Sequence, residues 1–379
     1  MPQNDSFVPR ILEIGPVPYM HQAFPTTTHF YSTWPGETHS DPERGRHIVQ
    51  LANLPTLSRR LADPTYDLIV VHAVPFAPWS FRALNRSIFR RESLRGAGSL
   101  PRSFGPQLLR GPIAAPLAVL DFDDPAVIDR ANAFLLDRAA VYFKRELPPD
   151  HWNLFNGTLH WRVPTPRFRT KRLHRERIAK MLPISLGAPF GMFEHELPQP
   201  LEAADKTADV FFAGRVHASS TLRERGMGEL MALRKKGYRI DIPEGPLSQE
   251  EYLERCRRAW LVWSPAGYGW QCFRLYEAAL CGSVPLANHP TIEQYHELID
   301  GEQALYYRPE PGGLTHAVRS ALANQERLAA MAGAARAHVL TYHTPAAIGR
   351  HIAETTLGRS VKRVESGGDT DAPERFPPH

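Results

Sequence analysis

The segment 259–287 constrains the fold of this chain more than any other part of the sequence. Five apolar residues, Ala259–Trp263, predict a buried strand, and a loop of small residues follows. A helix then carries Arg274 and Glu277 and ends at Gly282, before a second apolar strand. Continuous apolar strands joined through a helix are typical of a parallel sheet buried on both faces. The segment therefore predicts an α/β fold.

Polar side chains gather at the start of this helix. Helix N-termini offer unpaired N–H groups and a positive dipole end, which attract phosphates. Arg274 and Glu277 are three residues apart and share a helix face. A guanidinium can hold a diphosphate in a fork, and a carboxylate can accept hydrogen bonds from a ribose diol. This pattern predicts a nucleotide-diphosphate site, although the same pair could be an ordinary exposed ion pair.

Length and strand pattern predict two domains. A chain of 379 residues exceeds a typical single core, and apolar strands alternate with helices in both halves. We expect an N-terminal α/β domain at 1–190, a linker at 191–204 and a C-terminal domain at 205–358. The polar tail at 359–379 is predicted to be disordered. The Pro- and Gly-interrupted segment 76–112 has the character of a mobile or acceptor-binding insertion.

Several polar or small residues follow the predicted strands of both halves. Ligands of open α/β sheets bind outside the carboxyl ends of the strands. We therefore expect the two domains to line one cleft with these strand-end residues if the domains face each other. The residues are Gly15, His72, Asp121, Gly214 and Ser264.

Two motifs resemble the C-terminal half of GT-B glycosyltransferases, in particular the exostosin-like and group 1-like enzymes. The first is Phe211-Phe212-Ala213-Gly214-Arg215 with Leu222-Arg223 downstream. The second is Ser264-Pro265-Ala266-Gly267, then Arg274-Leu275-Tyr276-Glu277-Ala278, then Gly282-Ser283-Val284-Pro285. The resemblance covers Ala208 to Tyr342. It implies two Rossmann-like α/β domains facing a central cleft, with the acceptor on the N-terminal side and a nucleotide-sugar donor held by the C-terminal domain.

The resemblance also implies roles for individual residues. Arg274 would contact the diphosphate, Glu277 the ribose, and Arg215 would add a second positive contact. Gly214 and Gly267 would let the backbone approach the phosphates. The donor-binding set is Gly214, Arg215, Arg223, Ser264, Gly267, Tyr268, Arg274 and Glu277. No cofactor is expected beyond the UDP- or GDP-sugar, and no metal.

One departure from the family bears on stereochemistry. Many retaining GT-B enzymes carry a second Glu eight positions before the one that matches Glu277, and this chain has Gly269 there. The departure favours inversion, which needs a base on the acceptor side. Asp121, Asp123 and His72 are the candidates by strand-end position. Two alternatives stay open: an Asp-x-Asp metal motif at 121–123, and a structural role for His72.

Basic residues define the second functional hypothesis. The formal charge is +5, with seven Arg and one Glu in 82–110, and eight Lys or Arg and one Glu in 162–180. These blocks could be solvated surface, or could meet an anionic acceptor, nucleic acid or phospholipid. The protein is thus either an enzyme that transfers a sugar to an unidentified acceptor, which could be anionic, or a catalytically silent relative that binds nucleic acid or anionic lipid.

Sequence features also favour a cytoplasmic location. Met1–Arg10 has no signal-peptide core, and the chain has no apolar run of membrane-spanning length. Peripheral association with a membrane stays open. The three cysteines have no Cys-x-x-Cys spacing, which favours buried thiols over a metal site.

Overall fold

The computed structural model describes residues 7–34, 36–73, 102, 104–160, 163–165, 172–194, 196–216 and 220–362, with backbone alone at 157–160, 163–165 and 172–174. Backbone contacts divide the chain into two units. Unit 1 comprises residues 1–184 and 345–379, and unit 2 comprises residues 185–344. Each unit contains a parallel sheet with helices. This confirms the α/β fold class.

Unit 1 is built on a seven-stranded parallel sheet. Its strands are β1 (Ile11–Gly15), β2 (Thr28–Ser32), β3 (Arg46–Ile48), β4 (Leu68–His72), β5 (Leu117–Asp121), β6 (Val141–Lys144) and β9 (Met181–Pro183), in the order β3-β2-β1-β4-β5-β6-β9. An antiparallel hairpin joins β7 (Gly157–His160) and β8 (Val163–Thr165). The α-helices with both ends described are α1 (Tyr19–Ala23), α2 (Leu54–Leu61), α3 (Ala133–Arg138), α4 (Arg172–Ile178) and α10 (Pro345–Leu357). Strands β1, β4 and β5 are buried throughout, as their apolar sequences require.

Unit 2 is built on a five-stranded parallel sheet. Its strands are β10 (Ala208–Phe211), β11 (Ile240–Asp241), β12 (Ala259–Trp263), β13 (Val284–Asn288) and β14 (Leu305–Tyr307), in the order β11-β10-β12-β13-β14. The α-helices are α5 (Thr221–Lys235), α6 (Gln249–Arg258), α7 (Phe273–Leu280), α8 (Gly313–Leu322) and α9 (Gln325–Tyr342). Helix α6 begins after Ser248, whose side chain caps it by accepting a hydrogen bond from the Glu251 amide at 3.1 Å.

The central strand of unit 2 places the largest side chain of its core. Trp263 is fully buried at the end of β12, and its indole donates to the Tyr307 hydroxyl at 3.0 Å. Gly226 of α5 makes room for the indole, since a Cβ there would lie 2.2 Å from Trp263 Cζ2. This packing fixes the strand from which the small-residue loop departs.

The two units differ from the domain ranges that the sequence suggests. The sequence assigns residues up to 358 to the second domain, whereas α10 packs on α1 in unit 1. Gly349 permits this contact, since a Cβ there would lie 2.5 Å from the Tyr19 carbonyl oxygen and 2.8 Å from Ala23 Cβ. The chain passes between the units at 184/185 and 344/345, rather than in a linker at 191–204.

Some predicted segments fall outside the described residues. These are residues 363–379 of the predicted tail and most of the proposed insertion at 76–112. In the described part of the chain, no helix has both the length and the apolar character needed to cross a membrane.

Candidate active site

Arg274 is a buried cation near the start of α7. Its side chain is 8 % exposed, and Nη2 donates to the carbonyl of Ala213, in the loop that follows β10. Its guanidinium carbon lies 4.9 Å from the centre of the Phe212 ring. Among the described residues, Arg274 has no carboxylate within ion-pairing distance, and its buried Nε has no hydrogen-bond partner. A buried charge without compensation is costly, so this position is suited to an anionic ligand.

Two glycines lie directly against the arginines of the site. Gly214 is exposed, and a Cβ there would lie 2.6 Å from Arg274 Nη2. A Cβ at Gly267 would lie 2.6 Å from Arg223 Nη2. Gly214 therefore places no side chain between its exposed backbone and the Arg274 guanidinium.

Arg223 connects the two glycine loops through their backbones. Its Nη1 donates to the Arg215 carbonyl at 3.1 Å, and its Nη2 donates to the Pro265 carbonyl at 3.3 Å. Arg215 itself is exposed. The geometry gives Arg223 a positioning role, and donor contact by either arginine stays a prediction.

Glu277 lies one helical turn beyond Arg274 and accepts a hydrogen bond from α6. The donor is the Tyr252 hydroxyl, 2.8 Å from Glu277 Oε2. Burial raises the pKa of Glu277, while the Tyr252 hydrogen bond and the Arg274 charge lower it. Burial also raises the pKa of Tyr252 well above its ordinary value, so the phenol keeps its proton and donates. No described side chain donates to Glu277 Oε1, which is left for a donor such as a ribose hydroxyl.

The loop between β12 and α7 is held by a residue that the sequence analysis does not identify. Asn288 Oδ1 accepts from the Ala266 amide at 2.9 Å, and the Asn288 carbonyl accepts from the Trp270 indole at 3.0 Å. Both contacts tie the loop to the end of β13. The signal in the sequence is a polar residue at the end of an apolar strand.

Ser264 and Tyr268 occupy opposite environments in the same loop. Ser264 is 3 % exposed, and its amide donates to the Leu286 carbonyl at 2.7 Å, which joins the end of β12 to β13. Tyr268, at the tip of the loop, is 45 % exposed. Donor contact by these two residues stays a prediction.

In unit 1, Asp121 forms a buried ion pair with Lys144. It ends β5, and its carboxylate accepts from Lys144 Nζ at 2.9 Å and from the Tyr142 hydroxyl at 2.8 Å. All three side chains are buried, and both partners come from the adjacent strand β6. These contacts favour a structural role for Asp121, because its partners hold both of its oxygens, and a catalytic role stays a prediction.

Asp123 is the member of the acidic pair that can exchange a proton near neutral pH. Its amide donates to Asp121 Oδ1 at 3.1 Å, and its carbonyl accepts from Lys144 Nζ at 3.3 Å. Burial, followed by the Asp121 charge, raises the pKa of Asp123 to about 7. A carboxyl group tuned in this way is suited to general-base chemistry.

His72 is enclosed at the end of β4. It is 4 % exposed, and its Nε2 lies 3.9 Å from Glu13 Oε1 without a hydrogen bond to any described residue. A Cβ at Gly15 would lie 2.0 Å from His72 Cδ2, so Gly15 accommodates the ring. The ring also lies 5.8 Å from Phe122, measured between centroids. This packing favours the structural role that the sequence leaves open.

The described residues also bear on the alternative metal motif at 121–123. Within the described ranges, no group of three or more His, Cys, Asp or Glu side chains is arranged to hold a metal ion. Because Lys144 and Tyr142 already occupy the Asp121 oxygens, the geometry favours acid–base chemistry at this strand end.

Comparisons with known proteins relate the chain to glycosyltransferases. A family model described as glycosyl transferase-like matches residues 230–354. No curated protein matches the sequence. Sucrose-phosphate synthase from Thermosynechococcus elongatus matches by structure with a TM-score of 0.52 and 12 % identity, over 91 % of this chain and 98 % of that protein.

Two further solved structures are similar at the same level. HepE from Anabaena, solved in complex with UDP, has a TM-score of 0.51 and 12 % identity, over 91 % of this chain and 99 % of HepE. A glycosyltransferase from Rickettsia africae has a TM-score of 0.51 and 12 % identity, over 91 % of this chain and 97 % of that protein. The structural matches show that the chain has a GT-B fold, and residues 230–354 are similar to glycosyltransferases through the family model.

Proposed function

We propose that the protein transfers a sugar from a UDP-sugar or GDP-sugar to an acceptor, with donor-binding residues in unit 2 and the catalytic base in unit 1. The observation that carries the proposal is the buried Arg274, which has no ion-pair partner among the described residues and lies beside the exposed Gly214. The complex of HepE with UDP favours a uridine nucleotide as the first donor to test. The exostosin-like subgroup and the cytoplasmic location belong to the same proposal.

The proposed mechanism uses the charge of Arg274 at the leaving group. As the glycosidic bond to the donor phosphate breaks, negative charge builds on the departing diphosphate, and the guanidinium stabilises it. Glu277 accepts a hydrogen bond from the ribose diol and so orients the nucleotide. The diphosphate leaves with the bonding electron pair.

Asp123 is the proposed general base that activates the acceptor. Its carboxylate removes the proton of the acceptor hydroxyl as that oxygen forms a bond to the anomeric carbon. Attack opposite to the leaving diphosphate inverts the anomeric configuration, in line with Gly269 at the position where many retaining relatives carry Glu. A pKa of about 7 lets Asp123 take up this proton near neutral pH.

Calorimetry with UDP and GDP tests the donor site directly. Wild-type protein is expected to bind one of the two, and Arg274→Ala is expected to bind it at least about 100-fold more weakly, because a charge-assisted contact with phosphate is lost. Arg225→Ala is the matched control, since Arg225 is an exposed residue of α5. Failure of wild-type protein to bind either nucleotide would refute the proposal.

A donor screen separates the enzyme from a catalytically silent relative. Wild-type protein with a range of sugar donors and candidate acceptors is expected to yield a glycosylated product and free nucleoside diphosphate, both detected by mass spectrometry. The alternative hypothesis, a silent relative that binds nucleic acid or anionic lipid, depends on two basic segments. Residues 82–110 lie largely outside the described residues, and residues 162–180 are described only in part. Nucleotide binding without any product, together with salt-sensitive binding to DNA or anionic vesicles, would favour that alternative.

A further inference from the structure

Unit 1 carries a cluster of basic and aromatic side chains at one edge of its sheet. The basic-aromatic cluster consists of Arg10, His29, Tyr31, His47, Arg60 and Tyr66. Arg10 and Tyr66 precede β1 and β4, whereas His72 and Asp121 are the last residues of β4 and β5. The cluster is therefore separate from the candidate catalytic residues.

Ring contacts and hydrogen bonds hold this cluster together. The Tyr66 hydroxyl lies 3.0 Å from His29 Nδ1, and Arg60 Nη1 lies 3.1 Å from His47 Nε2. The rings of Tyr31 and His47 stack with centroids 4.7 Å apart. Register places Tyr31 beside His47 on adjacent strands. The side chains thus form a fixed surface between α2 and the edge of the sheet.

Hydrogen bonding assigns the proton of the His47 imidazole and constrains that of His29. Arg60 can only donate, so His47 Nε2 is the acceptor and its proton lies on Nδ1. If the Tyr66 hydroxyl donates to His29 Nδ1, the His29 proton lies on Nε2. Neither of these N–H groups has an acceptor among the residues that the structure describes. Both rings are half-buried rather than enclosed, and so remain accessible.

Arg60 is the charged group that acts most strongly on the two imidazoles. Among the described residues, Arg60 has no carboxylate within ion-pairing distance. Two acidic groups lie near Arg10: Asp67 accepts from the Arg10 amide at 2.8 Å, and the pKa of Asp63 is lowered by hydrogen bonds from Thr65 and then by the charges of Arg10 and Arg60. Burial, and then the Arg60 charge, lowers the pKa of His29 to about 4, and the same two causes lower the pKa of His47. The imidazoles are therefore neutral at pH 7 beside the charged Arg60.

We propose that the basic-aromatic cluster binds a phosphate-type oxoanion through the Arg60 guanidinium and the imidazoles of His29 and His47. An anion there would offset the charge of Arg60 and accept from the two imidazole N–H groups. It would also favour protonation of the imidazoles, so binding takes up protons and strengthens as the pH falls. The charged and titratable groups facing the imidazoles are Arg10, His21, Tyr31, Arg60 and Tyr66.

Histidine NMR with inorganic phosphate tests this site. In full-length protein labelled with ¹⁵N-histidine, added phosphate is expected to shift the resonances of His29 and His47 and to raise their pKa values by roughly 1. Sodium chloride at equal ionic strength is expected to leave them unchanged. Single His29→Gln and His47→Gln variants assign the resonances.

Matched variants locate the anion. Arg60→Gln is expected to weaken the phosphate response at least about tenfold. Arg59→Gln, one residue away and exposed, is expected to keep it. Arg274→Gln is also expected to keep it, which separates this site from the donor site. An unchanged response in Arg60→Gln, or no response of His29 and His47 in wild-type protein, would overturn the proposal.

If Arg60→Gln does not fold, His47→Gln provides the second test. It leaves both arginines in place, and the His29 resonance then reports binding. The expected result is a phosphate affinity reduced about threefold to tenfold, because one donor is lost. An affinity equal to that of wild-type protein would overturn the role assigned to the imidazoles.

Discussion

Arg274 in unit 2 and Asp121 in unit 1 are both charged side chains buried at the carboxyl end of a sheet, yet their surroundings differ. Arg274 has a backbone carbonyl, an aromatic ring and the Cys272 sulfur for partners. Asp121 has an ammonium and a phenol. Burial of an unpaired charge is costly, whereas a paired and hydrogen-bonded charge can be accommodated. We infer that the Arg274 charge binds a ligand and that the Asp121 charge stabilises the fold.

The same contrast separates the neighbouring carboxylates. Glu277 has one tyrosine donor and lies near Arg274, so it can still accept from a ligand. Burial, and then the charge of Asp121, raises the pKa of Asp123 to about 7, and Asp121 itself pairs with the buried Lys144. Glu277 is thus suited to accept a hydrogen bond, and Asp123 is suited to accept a proton.

Removing Lys144 should have the largest effect on stability. Lys144→Met leaves the Asp121 charge buried beside neutral donors alone, and should lower the free energy of unfolding by about 3–5 kcal/mol. Urea titration measures this change. Lys180→Met is the control, since its ammonium makes an exposed contact with the Asp137 carbonyl at 3.3 Å. A loss below about 1 kcal/mol would show that Asp121 is not held by this pair.

Changing Asp123 should impair turnover and leave donor binding intact. Asp123→Asn removes the proposed base, so kcat should fall about 100-fold or more while the affinity for UDP is unchanged. In wild-type protein, kcat should rise with pH through about 7 as Asp123 loses its proton, and the variant should lack this rise. Asp137→Asn, at a surface ion pair with Arg177, is the control. An unchanged kcat would assign the base elsewhere.

The sequence predicts unit 2 better than unit 1, for physical reasons. It predicts strand β12 with its observed bounds, Ala259–Trp263, because this strand is continuous, apolar and buried. It does not reveal β2 and β3, at one edge of the larger sheet, since His29 and Arg46 interrupt any apolar pattern. It assigns α10 to the second domain because nothing local shows that this helix packs on α1.

Local sequence also predicts some of the site residues and misses others. Arg274 and Glu277 lie on one helix, so their spacing alone places them together. The partners of Asp121 come from another strand, and the raised pKa of Asp123 depends on burial that develops only in the folded unit. Asn288, which holds the donor loop, is likewise distant in sequence from Ala266.

A methyl group at Gly214 should weaken donor binding without unfolding unit 2. In Gly214→Ala the new Cβ would lie 2.6 Å from the flexible end of Arg274 and 3.3 Å from Phe212 Cζ. The guanidinium must shift, and donor affinity should fall roughly tenfold, while stability changes by less than about 0.5 kcal/mol. Calorimetry with UDP and thermal unfolding measure the two effects. Gly245→Ala, which meets no described atom within 4 Å, is the control.

Two results for Gly214→Ala would contradict the different roles inferred for Arg274 and Asp121. Equal donor affinity in Gly214→Ala and Gly245→Ala would mean that the position of Arg274 does not govern binding. A large loss of stability in Gly214→Ala would mean that Arg274 serves the fold, as Asp121 does.

The smallest expected effect concerns Tyr252 and depends on pH. Tyr252→Phe removes the hydrogen bond that lowers the Glu277 pKa, so burial raises that pKa further. As the pH falls, Glu277 in the variant then takes up a proton at a higher pH than in wild-type protein. The protonated group no longer has the charge with which it accepts from the ribose. Donor affinity should fall roughly threefold to fivefold at pH 6 and change little at pH 8. Calorimetry with UDP at both pH values, with Tyr238→Phe as the control, measures the difference. The same loss at pH 6 and pH 8 would mean that Tyr252 acts by packing against Phe211 rather than through the Glu277 charge.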